Sequence, residues 1–141
     1  MGVDFSEDMC RRTATRHAEL VRQGRLELLH GDIVELDLGE RRFDRILAVN
    51  VIYFWPAPVV VLRRLRALLA EDGLLAITFT APEDLRRMFF ARTPIFHAYS
   101  IEEVLAHLQS AGFGQVRCET GKVKGGTVAT ALARRGVLPP T

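Results

Sequence analysis

Cysteine is scarce in this chain of 141 residues: there are two, Cys10 and Cys118, far apart and without metal-ligand spacing. That excludes a disulfide framework and a cysteine-based zinc site, and it fits two free thiols in a reducing compartment. Lysine is scarcer relative to arginine, with only Lys122 and Lys124 among 19 basic residues. This skew suits a GC-rich, bacterial gene. No apolar run approaches the ~20 residues that a membrane span needs. The first fifteen residues carry Asp4, Glu7 and Asp8 and have no apolar h-region, so no signal peptide is read there, and a cytoplasmic protein with no membrane partner is expected. Charge of one sign is also lacking: 19 basic against 17 acidic residues leave a net charge of +2. A dedicated nucleic-acid surface is therefore not expected.

What is present is a packed core. The apolar share is 48%, too high for a disordered chain. Gly2 to Phe5 is short and apolar around Asp4. Ser6 stands at a helix N-cap position with Glu7 and Asp8 behind it. A loose helical period continues to Gln23 and stops at Gly24. Leu26 to His30 reads as a brief strand that exits at Gly31-Asp32. Ile46 to Val51 is apolar on both faces, as suits a strand covered on both sides. Pro56 and Pro58 break the chain before an amphipathic helix, Val59 to Leu69, whose Arg63, Arg64 and Arg66 are read as a wet face. Glu71-Asp72-Gly73 should end that helix, and Leu74 to Thr80 is a third apolar strand.

The segment from Ala81 to Tyr99 is less regular and holds Met88, Phe89, Phe90, Phe96, His97 and Tyr99. Ser100 with Glu103 makes a capping box for a helix that stops at Gly112. Gln115 to Glu119 and Thr127 to Ala133 read as strands joined by a glycine-containing turn. Residues 136 to 141 read as a loose, proline-rich tail. His17 and His107 read as solvated helix residues.

Alternation of this kind predicts an α/β fold: a mostly parallel sheet with helices on both faces, closed by an antiparallel strand pair. Ligands of such sheets sit outside the carboxyl ends of the strands, where Asp4, Asp32 and Asn50 fall. Each has a plainer reading. Asp32 after glycine suits an ordinary turn, Asp4 could be a helix-entry acid, and Asn50 could simply end its strand. Met9 could be core filling. Tyr53, Trp55, His97 and Tyr99 could line a substrate pocket or merely pack. His97, Tyr99 and Tyr53 are the weak catalytic candidates, His97 as a general base if the acceptor must lose a proton. No metal site is expected.

Gly2-Val3-Asp4-Phe5-Ser6 with Met9, His30-Gly31-Asp32-Ile33, Phe43 to Leu47 running into Asn50, Leu68 to Leu75, and Ser100 to Glu103 followed by Ala111-Gly112-Phe113 together resemble the class I S-adenosylmethionine-dependent methyltransferases. The order and spacing carry the resemblance over residues 2 to 134. Asp72 stands where that family often has glycine. The resemblance implies a Rossmann-like domain over residues 1–135 and S-adenosylmethionine as cofactor. It implies that Asp4 holds the ribose hydroxyls, that Phe5 and Met9 pack on the adenine, and that Asp32 and the Ile33 backbone read the adenine edge. Asn50 would lie beside the methionine end. A small-molecule acceptor is then expected, with Ala81 to Tyr99 capping its pocket.

The family's first strand and G-x-G-x-G loop are missing from this sequence, so the fold is expected to be incomplete at the N-terminus. A truncated record with impaired activity is the favoured expectation. The alternative is a short protein that has lost cofactor chemistry and serves as a binding or dimerisation module, for which a homodimer would suit exposed strand edges. A nicotinamide dehydrogenase also uses an acid at a second strand end, but Gly31-Asp32 and the final reversed strand pair fit it less well.

Overall fold

The computed structural model describes residues 1–87 and 93–136. Met88, Phe89, Phe90 and Arg92 of the irregular segment, and the tail beyond Gly136, lie outside the described residues. The chain forms two compact units, Met1–Glu40 and Arg41 onward.

The first unit is a small β-α-β arrangement. Strand β1 (Gly2–Asp4) leads into helices α1 (Glu7–Arg16) and α2 (Ala18–Arg22), and strand β2 (Leu28–His30) returns parallel to β1. Ser6 caps α1 by accepting the Met9 N–H, with Glu7 and Asp8 in the first turn. The single helix expected up to Gln23 is broken at His17, whose φ of −117° and ψ of 34° leave the helical region. Neither half buries a residue, so packing does not hold the break straight. Gly24 ends α2 at φ +68°, as its C-cap position requires.

The second unit is a four-stranded sheet in the order β3-β4-β6-β5. Strand β3 (Phe43–Val49) pairs parallel with β4 (Leu69–Thr80). Strand β6 (Gly126–Arg134) runs antiparallel to both β4 and β5 (Gly114–Val123). Between the strands lie a 3₁₀ turn at Ile52–Phe54, helix α3 (Pro58–Leu68), the short α4 (Pro82–Leu85) and α5 (Ile101–Ser110).

The register sets Ala48, Ile77 and Ala131 side by side on one sheet face. That face is the core: Leu75, Ile77, Phe79 and Ala129 are fully buried, as are Leu62 of α3 and Val104 and Leu108 of α5. By contrast, Leu47 and Val49 on the other face of β3 are 68% and 47% exposed.

Two further local readings change. The helix α3 ends at Leu68, and β4 begins at once with Leu69, through Glu71-Asp72-Gly73 rather than after it. The pairing slips between Phe43↔Leu69 and Arg45↔Leu74, which absorbs the extra residues as a bulge. A Cβ on Gly73 would sit 2.9 Å from the Ala70 carbonyl oxygen and from Leu69 Cβ, so the bulge needs glycine. Arg66 is not on a wet face: its Nε donates to the carbonyls of Gly112 and Arg135, each at 2.9 Å. It thereby serves one carbonyl just beyond the C-terminus of α5 and one just beyond the end of β6. The capping box at Ser100 and Glu103 forms as expected, with both reciprocal hydrogen bonds.

Asp84 on α4 accepts the Thr127 N–H at 2.7 Å and ties the start of β6 to α4. Gly126 has φ +142°, and a Cβ there would lie 2.4 Å from the Asp84 carboxyl carbon. Gly126→Ala is therefore expected to destabilise by about 1–3 kcal/mol in urea unfolding. Gly121→Ala, where a Cβ meets nothing within 4 Å, should stay within about 0.5 kcal/mol.

Candidate cofactor site

Parallel pairing of β1 with β2 brings Asp4 opposite His30, at the carboxyl ends of neighbouring strands. Parallel neighbours lie about 4.8 Å apart, so the two strand exits form one rim. Gly31 starts the exit of β2 at φ +152°, its N–H donating to the Asp4 carbonyl at 2.9 Å. A Cβ on Gly31 would strike the Leu36 side chain at 2.8 Å, so a larger residue would displace the Asp32 turn.

Each carboxylate is anchored through one oxygen. Asp4 Oδ1 accepts the Ser6 N–H at 2.8 Å, and Asp32 Oδ1 accepts the Val34 N–H at 2.8 Å. The second oxygen of each remains an acceptor whose direction the first bond has set. Phe5 and Met9 stand beside Asp4 in the chain with 66% and 46% of their surface exposed. Exposed apolar side chains next to oriented carboxylates fit a ligand with a flat ring and hydroxyl or amine donors. Ile33 is half-buried on the Asp32 turn. The His30 ring, to which the sequence pattern assigned no task, has Nε2 3.0 Å from the Phe5 carbonyl oxygen and ties the two exits together. Cys10 Sγ lies 3.7 Å from the Asp4 and Leu29 carbonyl oxygens and packs as a small hydrophobe.

In the second unit, Asn50 ends β3 in the left-handed region at φ +52°. Its N–H donates to the Thr78 carbonyl at 2.9 Å, and its side chain is exposed at the carboxyl end of the parallel pair. Tyr53 is 3% exposed. Its hydroxyl donates to Asn50 Oδ1 at 3.0 Å and accepts the Thr80 N–H. Its ring stacks on Phe96 with centroids 4.7 Å apart. The His97 N–H donates to the Tyr53 carbonyl at 2.9 Å, and the exposed His97 ring lies 6.3 Å from that of Tyr99. His107 is half-buried, with its ring edge-on to Tyr99 at 5.4 Å.

Tyr99 donates to the Trp55 carbonyl at 3.3 Å. Burial first, and the Glu103 carboxylate second, raise its phenol above the ordinary value of 10.0. It therefore remains a donor near neutral pH and makes a poor base there. An open depression of about 720 Å³ lies at the other end of β3 and β4, lined by Asp44, Arg45, Glu71, Asp72 and Arg134. Its charges are mixed, and it is remote in the strands from Asn50 and Thr80. Among the described residues no cluster of His, Cys, Asp and Glu could hold a metal ion.

Alternating strands and helices, with parallel strand pairs in each unit, define the class: a Rossmann-like α/β protein. The family model described as "Methyltransferase domain" matches residues 1–75, and the chain belongs to that family, with the class I methyltransferase fold. No curated protein matches the sequence. Solved structures of the same fold include a SAM-dependent methyltransferase from Thermotoga maritima, 20% identical, with TM-score 0.68 over 96% of this chain and 72% of that one. They also include the N-methyltransferase NodS of Bradyrhizobium japonicum in complex with S-adenosyl-L-homocysteine, 18% identical, TM-score 0.71, covering 94% of this chain and 64% of that one. A third is the magnesium protoporphyrin IX methyltransferase of Synechocystis with bound SAH, 16% identical, TM-score 0.71, covering 96% of this chain and 63% of that one.

The raised Tyr99 phenol has a sign that can be checked. A group whose folded-state ionisation is pushed up contributes stability that is complete below its ordinary value and is lost as pH rises through the folded value. Urea unfolding midpoints of the wild type should therefore fall as pH rises above the ordinary value of 10.0, and Tyr99→Phe should flatten that fall.

Proposed function

We propose that this chain uses S-adenosylmethionine to methylate a small-molecule acceptor. The observation that carries the reading is the pair of anchored carboxylates, Asp4 and Asp32, at the exits of adjacent parallel strands, with exposed Phe5 and Met9 beside them. Asp4 would accept from the ribose hydroxyls, and Asp32, with the Ile33 backbone, would read the adenine edge. Phe5 and Met9 would cover its faces. When bound, the cofactor supplies an electrophilic methyl group on a sulfonium. The chain's own task is to orient an acceptor atom in line behind that methyl and to exclude water.

Tyr53 and Tyr99 have their hydroxyls engaged, so His97 is the candidate of the three with an exposed ring to take a proton from the acceptor. The segment from Ala81 to Tyr99, part of which is described, is assigned to acceptor choice. A site of action in the cytoplasm is part of the same reading; among the described residues no helix is long and apolar enough to cross a membrane. Bacterial neighbours and the arginine-rich composition support a bacterial source. The chain spans about two thirds of those neighbours, so catalysis by this chain alone belongs to the proposal.

A second reading, a binding or dimerisation module, is favoured by one feature: β3 is an edge strand of its sheet and carries the exposed Leu47 and Val49. A second copy adding to that edge would give a concentration-dependent homodimer in light scattering.

Calorimetric titration with S-adenosylhomocysteine tests the first reading. Saturable binding is expected, and no heat at millimolar ligand would reject it. Asp4→Asn and Asp32→Asn should each weaken binding about 10-fold to 100-fold, the value of one charge-assisted hydrogen bond, with an unchanged circular dichroism spectrum.

A further inference from the structure

Strands β1 and β2 stop pairing at Asp4 and His30. Gly31 turns the chain away at φ +152°, while its N–H still reaches the Asp4 carbonyl. A side chain carries the link one residue further: His30 Nε2 lies 3.0 Å from the Phe5 carbonyl oxygen. A carbonyl only accepts, so the imidazole donates through Nε2. The Phe5 carbonyl and the Ser6 N–H belong to one planar trans peptide group and point opposite ways across it. On its far side, the Ser6 N–H donates to Asp4 Oδ1 at 2.8 Å. One rigid plane is thus held by His30 at one edge and holds Asp4 at the other. Hydrogen bonds in such a chain polarise one another. Donation to the carbonyl therefore makes the Ser6 N–H a stronger donor to the carboxylate. Every group in the chain lies within the first unit.

We infer that His30 is a positioning residue for the Asp4 carboxylate and acts on it through the Phe5–Ser6 peptide. The inference rests on the cofactor reading above, which gives Asp4 the ribose hydroxyls. His30 need not touch the ligand. What it supplies is direction: Oδ1 is tied to Ser6, and a peptide that rocks would swing the carboxylate a ribose must meet. Fixing the plane removes that freedom before any ligand arrives. Asp32 is anchored separately, by the Val34 N–H, so the influence of His30 should fall on Asp4. The His30 ring is exposed. Water can therefore replace it on the Phe5 carbonyl, and what is lost with the ring is orientation rather than the fold.

Two substitutions separate the hydrogen bond from the bulk of the ring. In His30→Gln the amide nitrogen can reach the place of Nε2 and donate to the Phe5 carbonyl. In His30→Phe a ring remains and the donor is gone. In the ligand-free protein the Ser6 amide proton resonance reports the chain. It should move upfield in His30→Phe, as the bond to Asp4 weakens, and hold its place in His30→Gln. In calorimetric titrations with S-adenosylhomocysteine, His30→Phe should weaken binding about threefold to tenfold, and His30→Gln should restore it to within about twofold of wild type. In an Asp4→Asn background His30→Phe should cost less than about a further twofold, because two residues acting through one contact are not additive. Full additivity, or equal losses in His30→Gln and His30→Phe, would give His30 a merely structural role and overturn the inference. A Ser6 resonance unmoved in His30→Phe would overturn it as well. The expected Ser6 response in a wild type that binds no S-adenosylhomocysteine would reject the cofactor reading and support the hold of His30 on Asp4 alone.

Discussion

The structure of the second unit depends on the burial of one sheet face beneath two helices. Parallel pairing of β3 with β4, and antiparallel pairing of β4 with β6, align Ala48, Ile77 and Ala131. Small alanines on the flanking strands and large side chains on β4 leave room for Leu62 and Leu65 of α3 and for Val104 and Leu108 of α5. Fully burying a side chain such as Leu or Phe contributes roughly 1.5–3 kcal/mol, so this layer outweighs any single polar contact at the rim. It also sets where the strands end. Because β4 is held from Leu69 to Thr80, its last residue arrives beside Asn50, and the Tyr53 hydroxyl can bridge them.

The polar groups at the strand exits share one device. Asp4, Asp32 and Asn50 each use one side-chain atom internally and leave another outward. The internal bond removes rotational freedom before a ligand is met, and the outward atom inherits a direction. For the two acids the anchor is a backbone N–H two residues ahead, a wholly local arrangement. For Asn50 the anchor is a buried phenol that depends on β4 and on Phe96. The first kind can be written into a short motif. The second requires the sheet.

That difference explains how much of the molecule could be read in advance. The capping box of Ser100 and Glu103, the stop at Gly24 and the strand exit at Gly31-Asp32 are governed by neighbours within a few residues, and each forms as its residues suggest. The start of β4 at Leu69 was not legible, because Glu71-Asp72-Gly73 has the composition of a turn. Pairing with β3 holds it extended, and the bulge next to Gly73 takes up the mismatch. Arg66 resembled a solvated helix residue, since nothing nearby reveals that the carbonyls of Gly112 and Arg135 fold back over it.

The sequence by itself determined the class of fold, the family and the acids at the first two strand exits. Alternating strands and helices, glycine stops and strand-end carboxylates are properties of short segments and survive without tertiary contacts. Only the tertiary structure decided which way Asn50 presents its amide, that Tyr53 is a buried brace, and which groups Arg66 serves. Those outcomes turn on hydrogen bonds between Tyr53 and Thr80, 27 positions apart, and between Arg66 and Gly112, 46 positions apart. Their geometry exists only once the core has brought distant segments together, because a donor cannot choose its acceptor before both are removed from water.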